Sequence, residues 1–369
     1  RWIAIGEVIT RLTVQVCRQP GLSAVYGEVL SFTGNEFYFI DASAVTGRTF
    51  GEVFFQLEGG IAVGIGGPEG TRINPRPEEI IGSEDQLLVL TEDDDTCRVD
   101  PERKPPFRIC SADFEPEGRS AESILILSGE SPDFGFMLQL LDSYVGPGSR
   151  ITVAGSLDEQ ASDRAIERAG PLQNCSVRYV PTVRTSFESL KALQPLSYES
   201  ILVPSGKVPP VDDEEADSEC IVTLLILRRM RHEASVDPGP IIISQIRNPR
   251  NRRLATSAEI DDFVVSNEVT SMVMAQLSEE PAMKHVYDEI FDPSGCELQL
   301  RRIGRYCPEG SGATFLDILK AGLERRELPL GYLLRPEGGD DSCRALLNPP
   351  WEERVDLGPE DRIVVVAER

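Results

Sequence analysis

The chain has 369 residues, with 37 Lys and Arg against 61 Asp and Glu, which gives a formal net charge of −24. This length corresponds to two or three domains of ordinary size. Affinity for nucleic acid and for anionic membranes rests largely on Lys and Arg, so a chain this acidic suits neither surface. A hydrophobic content of 40% predicts packed domains. No aliphatic stretch approaches the roughly 20 residues that a membrane-spanning helix needs.

The eight cysteines lie far apart in the chain and form no CxxC pair. A disulfide scaffold is shorter and denser in cysteine, so we expect reduced thiols in a reducing compartment. The N-terminal residues lack the apolar core and cleavage site of a signal peptide, and the first residue is not Met. We therefore expect the chain to be a fragment of a longer protein.

An internal repeat is the most informative feature of the sequence. Residues 74–92 read NPRPEEIIGSEDQLLVLTE, and residues 348–368 read NPPWEERVDLGPEDRIVVVAE. Both segments begin with Asn-Pro, continue through an acidic pair and Gly-x-Glu-Asp, and end in an aliphatic strand. Further landmarks upstream keep the same order, which predicts two copies of one module, near residues 6–95 and 264–369.

Each copy of the module reads as two helices followed by a small α+β unit. An alternating strand and a short helix follow the helix pair, with Thr49 or Thr314 as the N-cap of the short helix. Two further strands close the module, and Gly-x-Glu-Asp supplies the turn before the last one. The predicted helix pairs cover residues 6–18 with 21–31 in the first copy and 264–278 with 282–291 in the second.

The middle of the chain has a different pattern. Residues 123–127 read SILIL, a run typical of a strand buried on both faces of a parallel sheet. Strands are then predicted at 150–154, 176–180, 200–203 and 240–245, separated by helices at 133–144, 158–169, 186–193 and 214–232. This alternation indicates a doubly wound, Rossmann-like lobe. The segment 97–121, rich in Pro, Arg and Glu, reads as a surface linker.

A Rossmann-like lobe, a helix crossover and a small α+β lobe together resemble an RCK domain (regulator of potassium conductance). The resemblance is closest to the CASTOR/POLLUX family of cation channels, and its landmarks follow in family order. They are QPGL (Gln19–Leu22), EFY (Glu36–Tyr38), EDDDT (Glu92–Thr96), GPGS (Gly146–Ser149), ADS (Ala216–Ser218), SNE (Ser266–Glu268), ELQ (Glu297–Gln299) and NPP (Asn348–Pro350).

The resemblance implies an α/β fold in which a Rossmann-like RCK lobe is flanked by two copies of a helix crossover plus a small α+β RCK C-lobe. Residues 1–96 would be the C-terminal half of a first RCK domain, starting at its final Rossmann strand, Trp2–Ile5. Residues 97–121 would be the linker, 122–262 the Rossmann-like lobe of a second RCK domain, and 263–369 its crossover and C-lobe. The rest of the first domain and a transmembrane pore would then precede residue 1.

The residues disfavour nucleotide chemistry and catalysis. A dinucleotide site needs G-x-G-x-x-G after the first strand, but this chain has Gly129-Glu130-Ser131-Pro132 there, and Glu130 would repel phosphate. The glycines of Gly64–Gly67 read as a hairpin turn. The two histidines, His232 and His285, read as structural or exposed, and no hydrolase motif is present, so we expect neither an enzyme nor a bound nucleotide.

Two acidic clusters are candidate Ca²⁺ sites, because Ca²⁺ takes six to eight oxygen ligands and adjacent carboxylates can supply several. Neither has the spacing of an EF-hand. The first could equally be a solvated strand end, and the second could be acids that favour a helix N-terminus. The family resemblance implies Ca²⁺ sensing without selecting ligands. The candidates are Glu92, Asp93, Asp94, Asp95, Asp212, Asp213, Glu214, Glu215 and Asp217.

The apolar stripe Ile9, Leu12 and Val16, and its counterpart Val265, Val269 and Met272, have helical spacing. In RCK proteins this region packs against another RCK domain, but the same pattern fits an intradomain core, and both interpretations stay open.

The resemblance implies a regulatory gating-ring domain that couples Ca²⁺ binding to a cation pore. The partners would be further copies in a tetrameric ring and a pore domain of the same protein. The domain would face the cytoplasm, the nucleoplasm or a plastid stroma. A TrkA-like subunit that senses a nucleotide or another ligand for a separate transporter, and a Rossmann-type oxidoreductase, are the alternatives, and binding of ATP or NAD would discriminate them.

Overall fold

The computed structural model describes residues 5–68, 70–104, 106–107, 118–130, 134–205, 212–234, 239–308, 312–335 and 343–368. The helices are α1 (Ile5–Arg18), α2 (Leu22–Leu30), α3 (Phe50–Phe54), α4 (Gly135–Tyr144), α5 (Glu159–Glu167), α6 (Phe187–Ala192), α7 (Asp213–Ala234), α8 (Arg252–Thr256), α9 (Ser266–Glu279), α10 (Met283–Ile290) and α11 (Phe315–Leu323). The strands are β1 (Glu36–Asp41), β2 (Leu57–Glu58), β3 (Gly60–Gly67), β4 (Gly70–Ile73), β5 (Gln86–Thr91), β6 (Arg98–Val99), β7 (Ser123–Gly129), β8 (Ser149–Gly155), β9 (Cys175–Pro181), β10 (Ser200–Val203), β11 (Ile241–Ile246), β12 (Asp262–Val265), β13 (Glu297–Arg302), β14 (Glu327–Leu334), β15 (Arg344–Leu347) and β16 (Arg362–Ala367).

The chain divides into two compact units, each built from two separate segments. The first unit comprises Arg1–Ser23 and Glu117–Met272, and the second comprises Ala24–Pro116 and Val273–Arg369. Of the three boundaries along the chain, the first falls inside α2 and the third inside α9. The domain boundaries predicted from the sequence follow the internal repeat. The division into two compact units does not test those boundaries, so they stay a prediction.

The first unit contains a six-stranded parallel sheet with the order β12-β11-β10-β7-β8-β9. This order is that of a doubly wound Rossmann sheet, in which the strands alternate with crossover helices. The aliphatic residues Ile124–Leu127 of β7 are completely buried, as expected of a central parallel strand. The Rossmann-like lobe predicted for the middle of the chain is confirmed.

Helix α1 packs within the first unit against α4 and against β11 and β12. Leu12 and Val16 of the predicted apolar stripe are buried there, and Ile9 is partly buried. The helix belongs to the first copy of the module, yet the sheet it covers lies in the middle segment of the chain. The predicted burial of one helix face is confirmed for α1. That face packs against β12, at the edge of the sheet, and against its neighbour β11.

The second unit contains two four-stranded antiparallel sheets of the same topology. Their orders are β1-β5-β3-β4 and β13-β16-β14-β15, so each strand of one copy has a counterpart in the other. Both third strands carry an irregularity at a glycine, Gly64 and Gly331. A Cβ at either glycine would overlap a carbonyl oxygen of the neighbouring strand, which explains why this residue recurs. The duplication predicted from the sequence is confirmed.

The short helices α3 and α11 begin alike in the two copies. Thr49 and Glu52 form a capping box, in which each side chain accepts a hydrogen bond from the other residue's backbone N–H. Thr314 and Asp317 form the same arrangement in the second copy. The predicted N-caps are confirmed, because the hydroxyl oxygen satisfies one of the amide groups left free at a helix start.

Several sequence expectations were wrong in detail. Strands β4 and β15 were not predicted, because four residues between loops carry little periodic signal. The Gly64–Gly67 segment is part of β3 and not a hairpin turn. Of the predicted strand Trp2–Ile5, Ile5 begins α1, and residues 2–4 lie outside the described part of the chain. The predicted linker contains β6, which pairs with β2.

The described cysteines are all free thiols. Across the described ranges, no helix combines the length and the apolar character required to cross a bilayer.

Candidate functional sites: acidic clusters and helix crossovers

The first acidic cluster lies in the loop that follows β5. Asp93, Asp94 and Asp95 are exposed, and a carboxylate oxygen from each lies within 4.8 Å of the others. Within the described residues, this is the one group of three or more His, Cys, Asp or Glu side chains close enough to hold a metal ion. Glu92 is exposed beside the cluster but is not part of it.

The backbone turn of this loop holds the three carboxylates together. Asp93 accepts hydrogen bonds at its carbonyl oxygen from the N–H (3.2 Å) and hydroxyl (2.7 Å) of Thr96, and at its carboxylate from the N–H of Asp95 (3.3 Å). A hydrogen bond with Asp93 raises the pKa of the Asp94 carboxyl, and the charge of Asp95 adds to this effect. A divalent cation would relieve this crowding of negative charge, so the donor set fits Ca²⁺.

The second cluster lies at the start of α7, and its carboxylates are engaged by neighbouring N–H donors. Asp217 is completely buried. Its oxygens accept hydrogen bonds from the backbone N–H groups of Arg247 (2.7 Å) and Asn248 (2.9 Å) and from Nδ2 of Asn251 (2.9 Å). With three N–H donors, the Asp217 carboxylate holds the loop after β11 in place. Its oxygen lone pairs accept these hydrogen bonds and are not free to bind a cation.

The other acids of this cluster make further contacts to the same region. Asp213 forms an ion pair with Arg247 (3.3 Å) and accepts a hydrogen bond from Nδ2 of Asn267 (2.9 Å). Glu214 accepts a hydrogen bond from Nδ2 of Asn248 (2.6 Å). Asp212 and Glu215 are exposed at the same helix end. The structure therefore engages Asp213, Glu214 and Asp217 with basic and amide groups, which compete with a cation for their oxygens.

A buried carboxylate fixes the turn between α1 and α2. Asp262, the first residue of β12, accepts hydrogen bonds from the N–H of Gly21 (2.6 Å) and from the N–H (3.3 Å) and hydroxyl of Ser23. Burial raises the pKa of Asp262, and the hydrogen bonds from Ser23 and Gly21 oppose that rise. The crossover turn of the first copy is thus held by the sheet of the first unit. Sequence reasoning missed this residue, because a lone Asp before a strand carries no distinctive pattern.

The histidines behave as the sequence predicts. His232 lies near the end of α7, is exposed, and contacts Glu259 (2.8 Å between Nε2 and Oε2). His285 lies on α10. Strand β7 ends at Gly129, which has a φ of 62°, and Glu130 begins the turn that follows, but Ser131 and Pro132 lie outside the described residues.

The fold resembles that of a solved gating ring. The human SLO3 gating ring matches 99% of this chain and 76% of its own chain, with a TM-score of 0.71 at 15% sequence identity. The expected fold class, a Rossmann-like RCK lobe flanked by two copies of a crossover and α+β lobe, is confirmed.

Sequence comparison identifies similar channels. Residues 6–106 match the family model described as Castor and Pollux, part of voltage-gated ion channel. A probable ion channel CASTOR from Oryza sativa subsp. japonica is 28% identical over the whole chain, and the ion channel CASTOR from Lotus japonicus is 29% identical over the whole chain. The chain is thus similar in sequence to CASTOR ion channels along its whole length. It spans 44% and 46% of the lengths of these two curated relatives.

Proposed function

We propose that this chain is the regulatory, gating-ring portion of a cation channel of the CASTOR/POLLUX type. The observation that carries the proposal is the combination of a gating-ring fold with similarity to CASTOR channels along the whole chain. In this role the chain performs no catalytic step and acts by changing shape. Its partners are further copies of itself in a tetrameric ring and a transmembrane pore domain of the same protein.

Regulation in this proposal works by linkage between ligand binding and conformation. A ligand shifts an equilibrium between two ring geometries only by the difference in its affinity for them. The proposed ligand is Ca²⁺, and the proposed ligands from the protein are Asp93, Asp94 and Asp95. These carboxylates are exposed, close together and crowded by like charge. Ca²⁺ would supply positive charge there and would be held by their oxygens.

The cluster at the start of α7 is the weaker candidate for the same ligand. Asp213, Glu214 and Asp217 already accept hydrogen bonds or ion pairs from the loop after β11. A cation would have to displace these N–H donors before it could use the same oxygens. Variants of its acids therefore serve as the comparison in the test of Ca²⁺ binding.

The binding part of the proposal is tested by calorimetry of Ca²⁺ against this chain. The double variant D94N/D95N should abolish the binding heat. E159Q/D163N, which removes two exposed acids from α5, should leave the heat unchanged. If D212N/E215Q abolishes the heat and D94N/D95N does not, the assignment to the first cluster is wrong.

The functional part requires the full-length channel in a planar bilayer. We expect Ca²⁺ on the ring side to change the open probability, and D94N/D95N to remove that response while unitary conductance stays the same. An open probability that is independent of Ca²⁺, together with a response to ATP or NAD, would contradict Ca²⁺ gating and favour the nucleotide-sensing alternative. A chain that remains monomeric and supports no channel activity would contradict the gating-ring role itself.

A further inference from the structure

A polar groove opens on one face of the parallel sheet in the first unit. It has a volume of about 460 Å³ and lies near the N-terminal ends of β7, β8 and β9. Most of its lining residues carry a hydroxyl or a guanidinium group, and none carries a carboxylate. In a chain with a net charge of −24, a recess of this composition is unexpected.

The register of the strands creates this lining. On the three neighbouring strands β7, β8 and β9, the residues directly opposite one another are Ser123, Arg150 and Ser176. Two residues further along β8 and β9, Thr152 lies opposite Arg178. Because side chains alternate between the faces of a strand, residues two apart share one face. The two arginines are therefore diagonal neighbours on one face, with Cα atoms about 8 Å apart for regular strand geometry.

The groove exists because the connection between β9 and β10 is short. It provides only the six-residue helix α6 and a 3₁₀ turn at Pro195–Ser197. The apolar core on this face covers the later residues of the strands, such as Leu127 and Ala154. Parallel sheets are normally covered on both faces, so the uncovered first half of β8 and β9 is a departure from the usual arrangement.

One arginine of the groove is fixed by hydrogen bonds. Arg178 donates from Nε to Oγ1 of Thr152 (2.9 Å) and from Nη2 to the hydroxyl of Tyr198 (3.2 Å), and that hydroxyl donates to Thr152 (3.0 Å). Tyr198 is itself buried and forms one wall. These contacts orient the guanidinium group before any ligand arrives, which lowers the entropy cost of binding.

The second arginine has no such partner. Arg150 is exposed, and among the described residues its side chain forms no ion pair or hydrogen bond. The carboxylate of Glu199 lies at the edge of the groove, where it accepts the backbone N–H of Ser123 (2.7 Å) and makes no ion pair with Arg150. Two neighbouring guanidinium groups without a counter-ion repel each other, and an anion placed between them would remove that repulsion.

We propose that this groove binds the phosphate group of a small phosphorylated molecule. Guanidinium groups match phosphate oxygens with paired N–H donors, and the hydroxyls of Ser123, Ser176 and Ser197 can donate to the remaining oxygens. The site differs from the nucleotide crevice of Rossmann-type sheets, which lies at the C-terminal ends of the strands. It is independent of the Ca²⁺ proposal, because neither acidic cluster lines it.

Calorimetry of this chain with inorganic phosphate and with pyrophosphate, at low ionic strength, tests the proposal. We expect both probes to bind and to raise the midpoint of thermal unfolding above the value in sodium chloride of equal ionic strength. R150Q should weaken pyrophosphate binding about tenfold or more, since a charged hydrogen bond is lost. S176D should abolish binding, because it places a carboxylate between the arginines. R164Q, which changes an exposed arginine of α5 outside the groove, should have no effect.

Chemical modification provides a readout that does not require a variant to fold. Pyrophosphate should slow the reaction of Arg150 with phenylglyoxal, measured by mass spectrometry, and leave Arg164 unprotected. Equal protection of the two arginines would overturn the proposal. So would equal binding by R150Q and wild type, or a thermal shift that sodium chloride reproduces.

Discussion

Asn74 and Asn348 occupy equivalent positions in the two copies of the module, and each donates a hydrogen bond to the equivalent backbone position of the other copy. Nδ2 of Asn74 donates to the carbonyl oxygen of Arg326 (2.8 Å), and Nδ2 of Asn348 donates to the carbonyl oxygen of Gly59 (3.0 Å). Both asparagines have a φ of 50°, in the left-handed region that Asn tolerates better than most residues. The Asn-Pro landmark of the repeat therefore joins the two copies within the second unit.

Neighbouring residues form equivalent hydrogen bonds between the two copies of the module. Nδ2 of Asn35 donates to the carbonyl oxygen of Leu347 (3.2 Å), and Sγ of Cys296, which occupies the corresponding position, contacts the carbonyl oxygen of Ile73 (3.5 Å). The two α+β lobes are thus bonded through equivalent backbone positions. We infer that neither lobe is fully satisfied without the other.

Replacing either repeat asparagine should destabilise the second unit. N74A and N348A each lose a hydrogen bond and place Ala at a positive φ, so we expect a loss of about 1–3 kcal/mol in the free energy of unfolding. N74G and N348G keep the backbone conformation accessible and should lose less than the alanine variants. Urea unfolding monitored by fluorescence measures these differences. Equal losses for Ala and Gly would show that the backbone conformation contributes nothing.

Asp217 should contribute to stability and not to Ca²⁺ binding. D217A would leave the backbone N–H groups of Arg247 and Asn248 without an acceptor, and would leave the amide of Asn251 only its longer hydrogen bond to Glu214 (3.4 Å). We expect a loss of about 3 kcal/mol or more, because unsatisfied buried donors are costly. D212N, an exposed neighbour, should change stability by less than about 0.5 kcal/mol. Chemical denaturation gives both values, and a stable D217A variant with no Ca²⁺ binding would contradict this assignment.

Glu327 should make the stability of the second unit depend on pH. It is buried and contacts Arg301 (3.1 Å), Arg305 (3.0 Å) and the hydroxyl of Tyr306 (2.6 Å). Burial alone would raise the pKa of this carboxyl, but the hydrogen bonds from Tyr306 and Arg305 and the charge of Arg301 outweigh burial and lower the pKa. Its folded pKa then lies below the unfolded one, so its stabilisation is complete at neutral pH and is lost as pH falls below about 4.5.

The variant E327Q tests this dependence. At pH 7 we expect it to be less stable than the wild type by about 2–3 kcal/mol, because it leaves the partly buried Arg301 without its counter-ion. The difference should shrink as pH falls below about 4.5, where the wild-type carboxyl takes up a proton. E324Q, at an exposed position beyond α11, is the matched control and should parallel the wild type at every pH. A gap between E327Q and wild type that is constant from pH 7 to pH 3.5 would show that the charge of Glu327 is not the cause.

The turn between α1 and α2 should loosen when Asp262 is changed. D262N replaces one carboxylate oxygen by an NH₂ group that cannot accept the N–H of Gly21 or Ser23. We expect this change to lower local stability by about 1.4 kcal/mol or more. Amide hydrogen exchange at Gly21 and Ser23 should therefore accelerate at least about tenfold. S23A, which loses only the hydroxyl bond, should have a smaller effect. Unchanged exchange in D262N would mean that α1 alone fixes the turn.

The features that depend on neighbouring residues could be predicted from the sequence. Strand and helix periodicity marked the Rossmann-like lobe, and the aliphatic run at 124–127 marked its central strand. The repeated Gly-x-Glu-Asp turns and the N-caps Thr49 and Thr314 marked the duplicated lobes. These signals are local, because a cap or a turn satisfies its hydrogen bonds within three or four residues.

Contacts between residues far apart in the chain could not be predicted from the sequence and became visible in the folded protein. It placed α1 on a sheet that begins more than 100 residues later and directed each repeat asparagine to the other copy. It also surrounded Asp217 with N–H donors, left Asp93, Asp94 and Asp95 exposed, and brought Arg150 beside Arg178. These contacts follow from strand order and register, which bring together residues that no local pattern connects.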